Sequence, residues 1–239
     1  GDSSRYVIRH PAIAELILSN ANREKLARAH IDFLRTISSV LPSDRRERRL
    51  SRAFRVFRDT CNHKRLRAMF PNRLDLVRNI YEEMKDYFRD DGHYWLQYGT
   101  FELEYGGQLD AAENYIQQAA ALMPGNKQVS TAYAYLLMKK AVAATTSGAA
   151  QSSMQEAVAI LSEEMSTRND VQGYPYHVYG SQMISYIRKW VRPAERSSEF
   201  RRVHDELQKL MPLGLKTRAD MAQLLKDLKR AELESVVTG

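Results

Sequence analysis

The chain has 239 residues, 44% of them hydrophobic, which is enough for one large folded domain or two small ones with a real core. Only 11 glycines and 7 prolines interrupt long stretches rich in Ala, Leu, Arg, Glu, Gln and Met, so the composition points away from sheets and predicts an all-α fold. The formal charge of +7 is uneven: residues 1–75 carry 17 Lys+Arg against 8 Asp+Glu, residues 76–175 carry 7 against 13, and residues 176–239 carry 12 against 8, which tells against a scaffold wrapped evenly around nucleic acid.

No run approaches the roughly 18 to 20 apolar residues of a membrane span, and no basic segment with an apolar signal core opens the chain. A soluble cytoplasmic chain without a membrane partner is expected. The single cysteine, Cys61, excludes an internal disulfide and any cysteine-based zinc cluster, which fits a reducing compartment.

Residues 1–5 read as a loose end, and Pro11 opens a short helix through Leu18. Asn20 and Asn22 mark a break. From Arg23 to Val40 the apolar residues fall at helical spacing, and Leu41-Pro42-Ser43 ends that helix while offering Ser43 as the next cap. A helix over Asp44 to Cys61 then puts Leu50, Ala53, Phe54 and Phe57 on one stripe and Arg48, Arg49, Arg52, Arg55 and Arg58 on the other side. A short helix near Lys64 to Phe70 stops at Pro71. Asn72 caps a long helix through Phe88, with Leu76, Ile80, Met84 and Tyr87 facing inward. Asp90-Asp91-Gly92 closes this basic N-terminal helical region, residues 1–90, and residues 91–239 form a second region.

That second region opens on GHYWLQYGTFELEYGGQLDAAENYIQQAAALMPGN, residues 92–126, which has the physics of a helical hairpin. Trp95, Tyr98, Gly99 and Glu102 share a face of the first helix, and Gly99 is small enough for a second helix to come close. Ala112, Ile116 and Ala119 form the answering stripe, Gly106-Gly107 makes the turn, and Pro124 marks the exit. The array Trp95-x2-Tyr98-Gly99-x2-Glu102 followed by Ala112-x3-Ile116-x2-Ala119-x4-Pro124 resembles a tetratricopeptide repeat, with the Trp, Tyr, Glu spacing of its half-tetratricopeptide relative. It departs from that pattern by a one-residue insertion at the double glycine and by lacking the repeat's usual aromatic in the second half of the first helix.

One hairpin cannot bury its own faces, so the resemblance implies neighbours in a short solenoid. Helices near Gln128–Thr145 and Gln151–Met165 are one candidate pair, with a long polar connection from Thr145 to Ser152. Helices near Tyr176–Trp190 and Pro193–Leu210 are a second. A last helix from Thr217 to Glu234, with Met221, Leu224, Leu225 and Leu228 inward, suits a cap.

No phosphate loop, H-E-x-x-H or G-x-S-x-G motif is present. The six histidines, at 10, 30, 63, 93, 177 and 204, include no pair three or four apart, and the adjacent His204-Asp205-Glu206 point in different directions on a helix. The expectation is a binding domain with no catalytic residue, metal or cofactor.

Two surfaces compete for the partner. If Trp95, Tyr98 and Glu102 pack between helices, the opposite arc holds His93, Leu96, Thr100 and Glu104, the candidate groove for a protein or peptide. The alternative is RNA or DNA on the basic surface of Arg48, Arg49, Arg52 and Arg55, since guanidinium groups suit phosphates. Finally, the segment from Arg5 to Leu18, RYVIRHPAIAELIL, resembles the stretch where the ATPase module of STAND-class signalling NTPases meets a C-terminal helical-repeat sensor. That resemblance implies the sensor part of a bacterial defence protein, recognising a foreign protein while any ATPase lies outside this chain.

Overall fold

The computed structural model describes residues 22–166 and 173–238. The expected helix from Pro11 to Leu18 and the whole Arg5–Leu18 segment lie outside the described residues. Those residues form thirteen α-helices and one π-helical turn, with no strand among them, so the chain is all-α. Two compact units divide it, residues 1–89 and 90–239.

The first unit contains α1 (Arg23–Val40), α2 (Arg45–Leu50), α3 (Arg52–Thr60), α4 (His63–Met69) and α5 (Leu74–Phe88). Helix α1 lies against α3 and α5, and α4 packs on α5. Ile31, Leu34, Phe57, Leu66, Val77, Ile80 and Met84 are all fully buried between them. Phe57 stacks on Phe88 with ring centroids 4.2 Å apart, and the buried Tyr81 hydroxyl donates to the Cys61 carbonyl at 2.8 Å.

Local chemistry redraws several expected boundaries here. The single helix expected over Asp44 to Cys61 is two, because Ser51 is extended (φ −70, ψ 147): its N–H closes α2 onto the Glu47 and Arg48 carbonyls, and its Oγ accepts the Phe54 N–H to open α3. Leu50 therefore falls off the apolar stripe and is 76% exposed. Asp44, not Ser43, caps α2, accepting from the N–H groups of Arg46 and Glu47 at 2.9 Å. Asn72 does not cap α5; it takes φ 62 in the preceding turn, a left-handed conformation that asparagine tolerates better than most residues. At the end of α5 Phe88 turns inward and the expected Tyr87 is exposed.

The second unit contains α6 (Gly92–Phe101), a π turn (Glu102–Gly106), α7 (Leu109–Leu122), α8 (Lys127–Ala143), α9 (Ser147–Ser166), α10 (Tyr174–Trp190), α11 (Pro193–Leu210), α12 (Leu213–Lys216) and α13 (Ala219–Thr238). Successive helices pair as α6–α7, α8–α9 and α10–α11, while α7 also lies on α8 and α9 on α10. The first helix of each pair touches the next first helix, α6 to α8 and α8 to α10.

Glycines set the closest approaches. A Cβ on Gly99 would stand 2.7 Å from Ile116 Cγ1 and 3.3 Å from the Ala112 carbonyl oxygen, so only glycine lets α6 lie against α7 at this distance. Ala112, Ile116 and Ala119 are fully buried in that contact. The extra residue at the double glycine is absorbed by the π turn, closed by the Gly107 N–H on the Glu102 carbonyl at 2.9 Å with Gly107 left-handed at φ 70.

The connection between α8 and α9 is only residues 144–146, shorter than the expected Thr145–Ser152 segment, because Thr146 accepts the Ala149 N–H and starts α9 early. Helix α10 holds the carboxyl end of α8: Lys189 Nζ donates to the Val142 and Ala144 carbonyls at 2.6 and 3.1 Å, and Trp190 Nε1 to the Ala141 carbonyl at 2.9 Å. Helix α13 covers α10 and α11 with buried Met221, Leu224, Leu225 and Leu228. Its Glu232, buried to 3% side-chain exposure, is clamped by Arg201 and Lys229 at 2.8 and 2.7 Å.

Gly99→Val is expected to overpack the α6–α7 contact and cost about 1–3 kcal/mol, read as a lower urea midpoint at unchanged m-value. An unchanged midpoint would mean that the two helices do not approach as described. In the first unit, burial pushes the His30 pKa down, opposed by the hydrogen bond from its Nε2 to the Thr60 carbonyl at 3.1 Å. Its contribution to stability is therefore present above the unfolded histidine value of about 6.5 and is lost as pH falls below it through the lowered folded value. Urea midpoints at neutral and mildly acidic pH should differ less in His30→Gln than in the parent chain.

Candidate binding surfaces

The arc of α6 expected to line a groove is largely closed. Leu96 and Thr100 are 4% and 5% exposed, and the Thr100 hydroxyl donates back to the Leu96 carbonyl at 2.7 Å. His93 is half-buried, with its N–H donating to the capping Asp91 carboxylate at 2.9 Å. The reason lies in composition: every residue from Tyr94 to Leu103 is buried, and a helix apolar on nearly all sides becomes an interior helix and not a groove wall. Leu96 and Thr100 cannot meet a partner with the chain in this conformation.

Glu104 is the member of the set that reaches a polar site. It sits in the π turn, half-buried, and accepts a hydrogen bond from the Tyr174 hydroxyl at 3.3 Å. Tyr174 is the first residue of α10, where Pro175 fixes the opening turn. Burial, and then the neighbouring Glu104 carboxylate, push the Tyr174 phenol well above its ordinary range. Tyr135, midway along α8, is pushed up to about 12 by burial first and then by Glu104 and Tyr105. The Lys139 ammonium lies 5.4 Å from the centre of the Tyr135 ring.

The π turn, α8 and α10 thus contribute to one cluster: a carboxylate and two phenols that stay neutral donors at physiological pH. Such a set can hydrogen-bond, stack and pair with charge. Sequence reasoning reached Glu104 but not Tyr135 or Tyr174, since their meeting depends on the register between hairpins, which no single hairpin motif encodes.

The basic surface is partly open. Arg52 and Arg55 are exposed on α3, as is Arg58 beside them, and Arg46 is exposed on α2. Arg48 is half-buried and spends its Nε on the Pro42 carbonyl at 2.9 Å. The Arg49 side chain lies outside the described residues. No group of three or more His, Cys, Asp or Glu side chains stands close enough to hold a metal ion among the described residues. No helix there is long and apolar enough to cross a membrane.

No protein-family model, curated protein or solved structure matches the chain.

The Tyr174–Glu104 contact can be isolated by a double-mutant cycle of Tyr174→Phe and Glu104→Gln. A coupling of about 1 kcal/mol is expected for a half-buried hydrogen bond to a charged acceptor. A coupling indistinguishable from zero would mean that the two groups do not meet in solution.

Proposed function

We propose that residues 90–239 form a short tetratricopeptide-type solenoid that holds a protein or peptide partner on the side of its first helices and carries out no chemistry itself. The helix pairing, the small-residue contact of Gly99 with Ala112 and Ile116, and the π turn that absorbs the inserted residue all support the repeat reading. The observation that carries the functional part is the cluster of Glu104, Tyr135 and Tyr174, drawn from three successive hairpins onto one half-buried site. A carboxylate ringed by phenols suits a basic side chain of the partner, with the aromatic rings supplying contact area.

The resemblance of Arg5–Leu18 to the junction in STAND-class NTPases supports a wider setting, in which this chain is the cytoplasmic sensor of a bacterial defence protein. In that setting the partner is a foreign protein and the ATPase lies elsewhere. A full-length reading frame with a phosphate-loop ATPase ahead of this segment is the outcome that setting requires; a frame without one removes it.

The binding reading is tested with peptides selected against the chain from a random display library. Glu104→Lys should weaken the selected peptides by about tenfold or more, and Tyr135→Ala should weaken them measurably, with helical content unchanged. Selected peptides that bind both variants as tightly as the parent chain would contradict it.

A further inference from the structure

Arginines in this chain are, as a rule, engaged. Arg73 pairs with Glu24 and Asp75, Arg35 with Glu83, Arg201 with Glu232, Arg202 with Glu199, and Arg218 with Asp220. Among the described residues, the side chains of Arg28, Arg46, Arg52, Arg55 and Arg58 make no hydrogen bond or ion pair, and four of these lie within α2 and α3. The unit around them is itself basic, with 20 Lys+Arg against 11 Asp+Glu over residues 1–89.

The spacing concentrates that charge. Arg52, Arg55 and Arg58 are three apart on one helix, so they form a ridge rising about 4.5 Å per step. Like charges on neighbouring turns repel, which makes an empty ridge mildly unfavourable and a polyanion its natural complement. The apolar side of α3 is already used, since Phe57 is fully buried against Phe88 and Phe54 is half-buried. No aromatic is left exposed on α3 to stack on a base. In α2 and α3 the one large exposed apolar side chain among the described residues is Leu50, too little for the apolar centre of a protein interface or for insertion into a bilayer.

We infer that the arginine ridge of α3, Arg52, Arg55 and Arg58, binds the phosphodiester backbone of nucleic acid without reading its sequence. Each guanidinium presents a planar donor fork to a phosphate, and affinity comes from counterion release. The ridge belongs to the first unit and the Glu104 cluster to the second, so either proposal can fail alone.

The experiment is fluorescence anisotropy of labelled 20-nucleotide duplexes and single strands of two unrelated sequences with the full chain, over a salt series. Binding should be similar for both sequences, and on duplex the slope of log K against log salt should become shallower by about 2.7 when Arg52, Arg55 and Arg58 are reversed to Glu. The triple change to Gln should weaken binding in the same direction, which keeps the test usable if the Glu variant folds poorly. Reversing Arg188, Arg192 and Arg230, which sit in surface ion pairs with Glu234, Glu195 and Asp227, makes the same change in net charge and should leave the slope nearly unchanged.

A flat titration at low salt overturns the inference, and so does equal weakening by the control triple, which would reduce the effect to net charge. Polyglutamate or phosphatidylserine vesicles competing as well as the oligonucleotide would assign the ridge to an acidic protein or a membrane surface instead.

Discussion

The second unit depends on one close contact, the seating of Gly99 against Ile116 and the backbone of Ala112. Two helices that touch through glycine and alanine come nearer than side chains of ordinary size allow, and dispersion over the whole interface then favours one register. Trp95 and Tyr98 are drawn onto Tyr115 in that register, with ring centroids 5.6 and 4.1 Å away. Small residues recur farther along: a Cβ on Gly180 would stand 2.8 Å from Leu224 Cδ2 and 2.9 Å from Leu207 Cδ1. There the glycine faces the ends of leucine side chains on α11 and α13, which can give way, so the contact is less strict than that of Gly99.

The π turn after α6 explains why the expected groove and the observed polar cluster share only Glu104. In an unbroken α-helix Leu96, Thr100 and Glu104 stand four apart on one arc. A turn with i→i+5 hydrogen bonds beginning at Glu102 changes that register, so Glu104 leaves the buried arc while Leu96 and Thr100 stay in it. The inserted residue was legible in the sequence as a departure from the repeat spacing, but its consequence for direction was not.

Much of the fold could be read from residues alone, because helix limits and facing stripes are local. Ala112, Ile116 and Ala119 occupy the contact their spacing implies, whereas the caps were not foreseen: Asn62 and Asn126 open helices through their own side chains, and the expected Ser43 and Asn72 do not. Ser51 was harder, since a serine inside an amphipathic pattern fits a surface position as well as a combined stop and start. Glu104, Tyr135 and Tyr174 were hardest, being separated by up to 70 residues and brought together only by stacking. The two units also differ in how they hold charge. Both pair charge from element to element, as Arg35 with Glu83 at 2.9 Å in the first and Lys140 with Glu113 at 2.6 Å in the second, but the first also leaves its α3 arginines to solvent.

The claim that the second unit is a stack in which each hairpin leans on its neighbours meets its most direct test in hydrogen exchange, read by mass spectrometry on Leu228→Ala. Leu228 is fully buried on α13, and its truncation should cost about 2–5 kcal/mol. In a nearest-neighbour stack the loss of protection falls on α10, α11 and α13, while α6 and α7 exchange as in the parent chain. An equal loss of protection in α6 and α7 would contradict the account, because it would mean that the unit opens as one indivisible body.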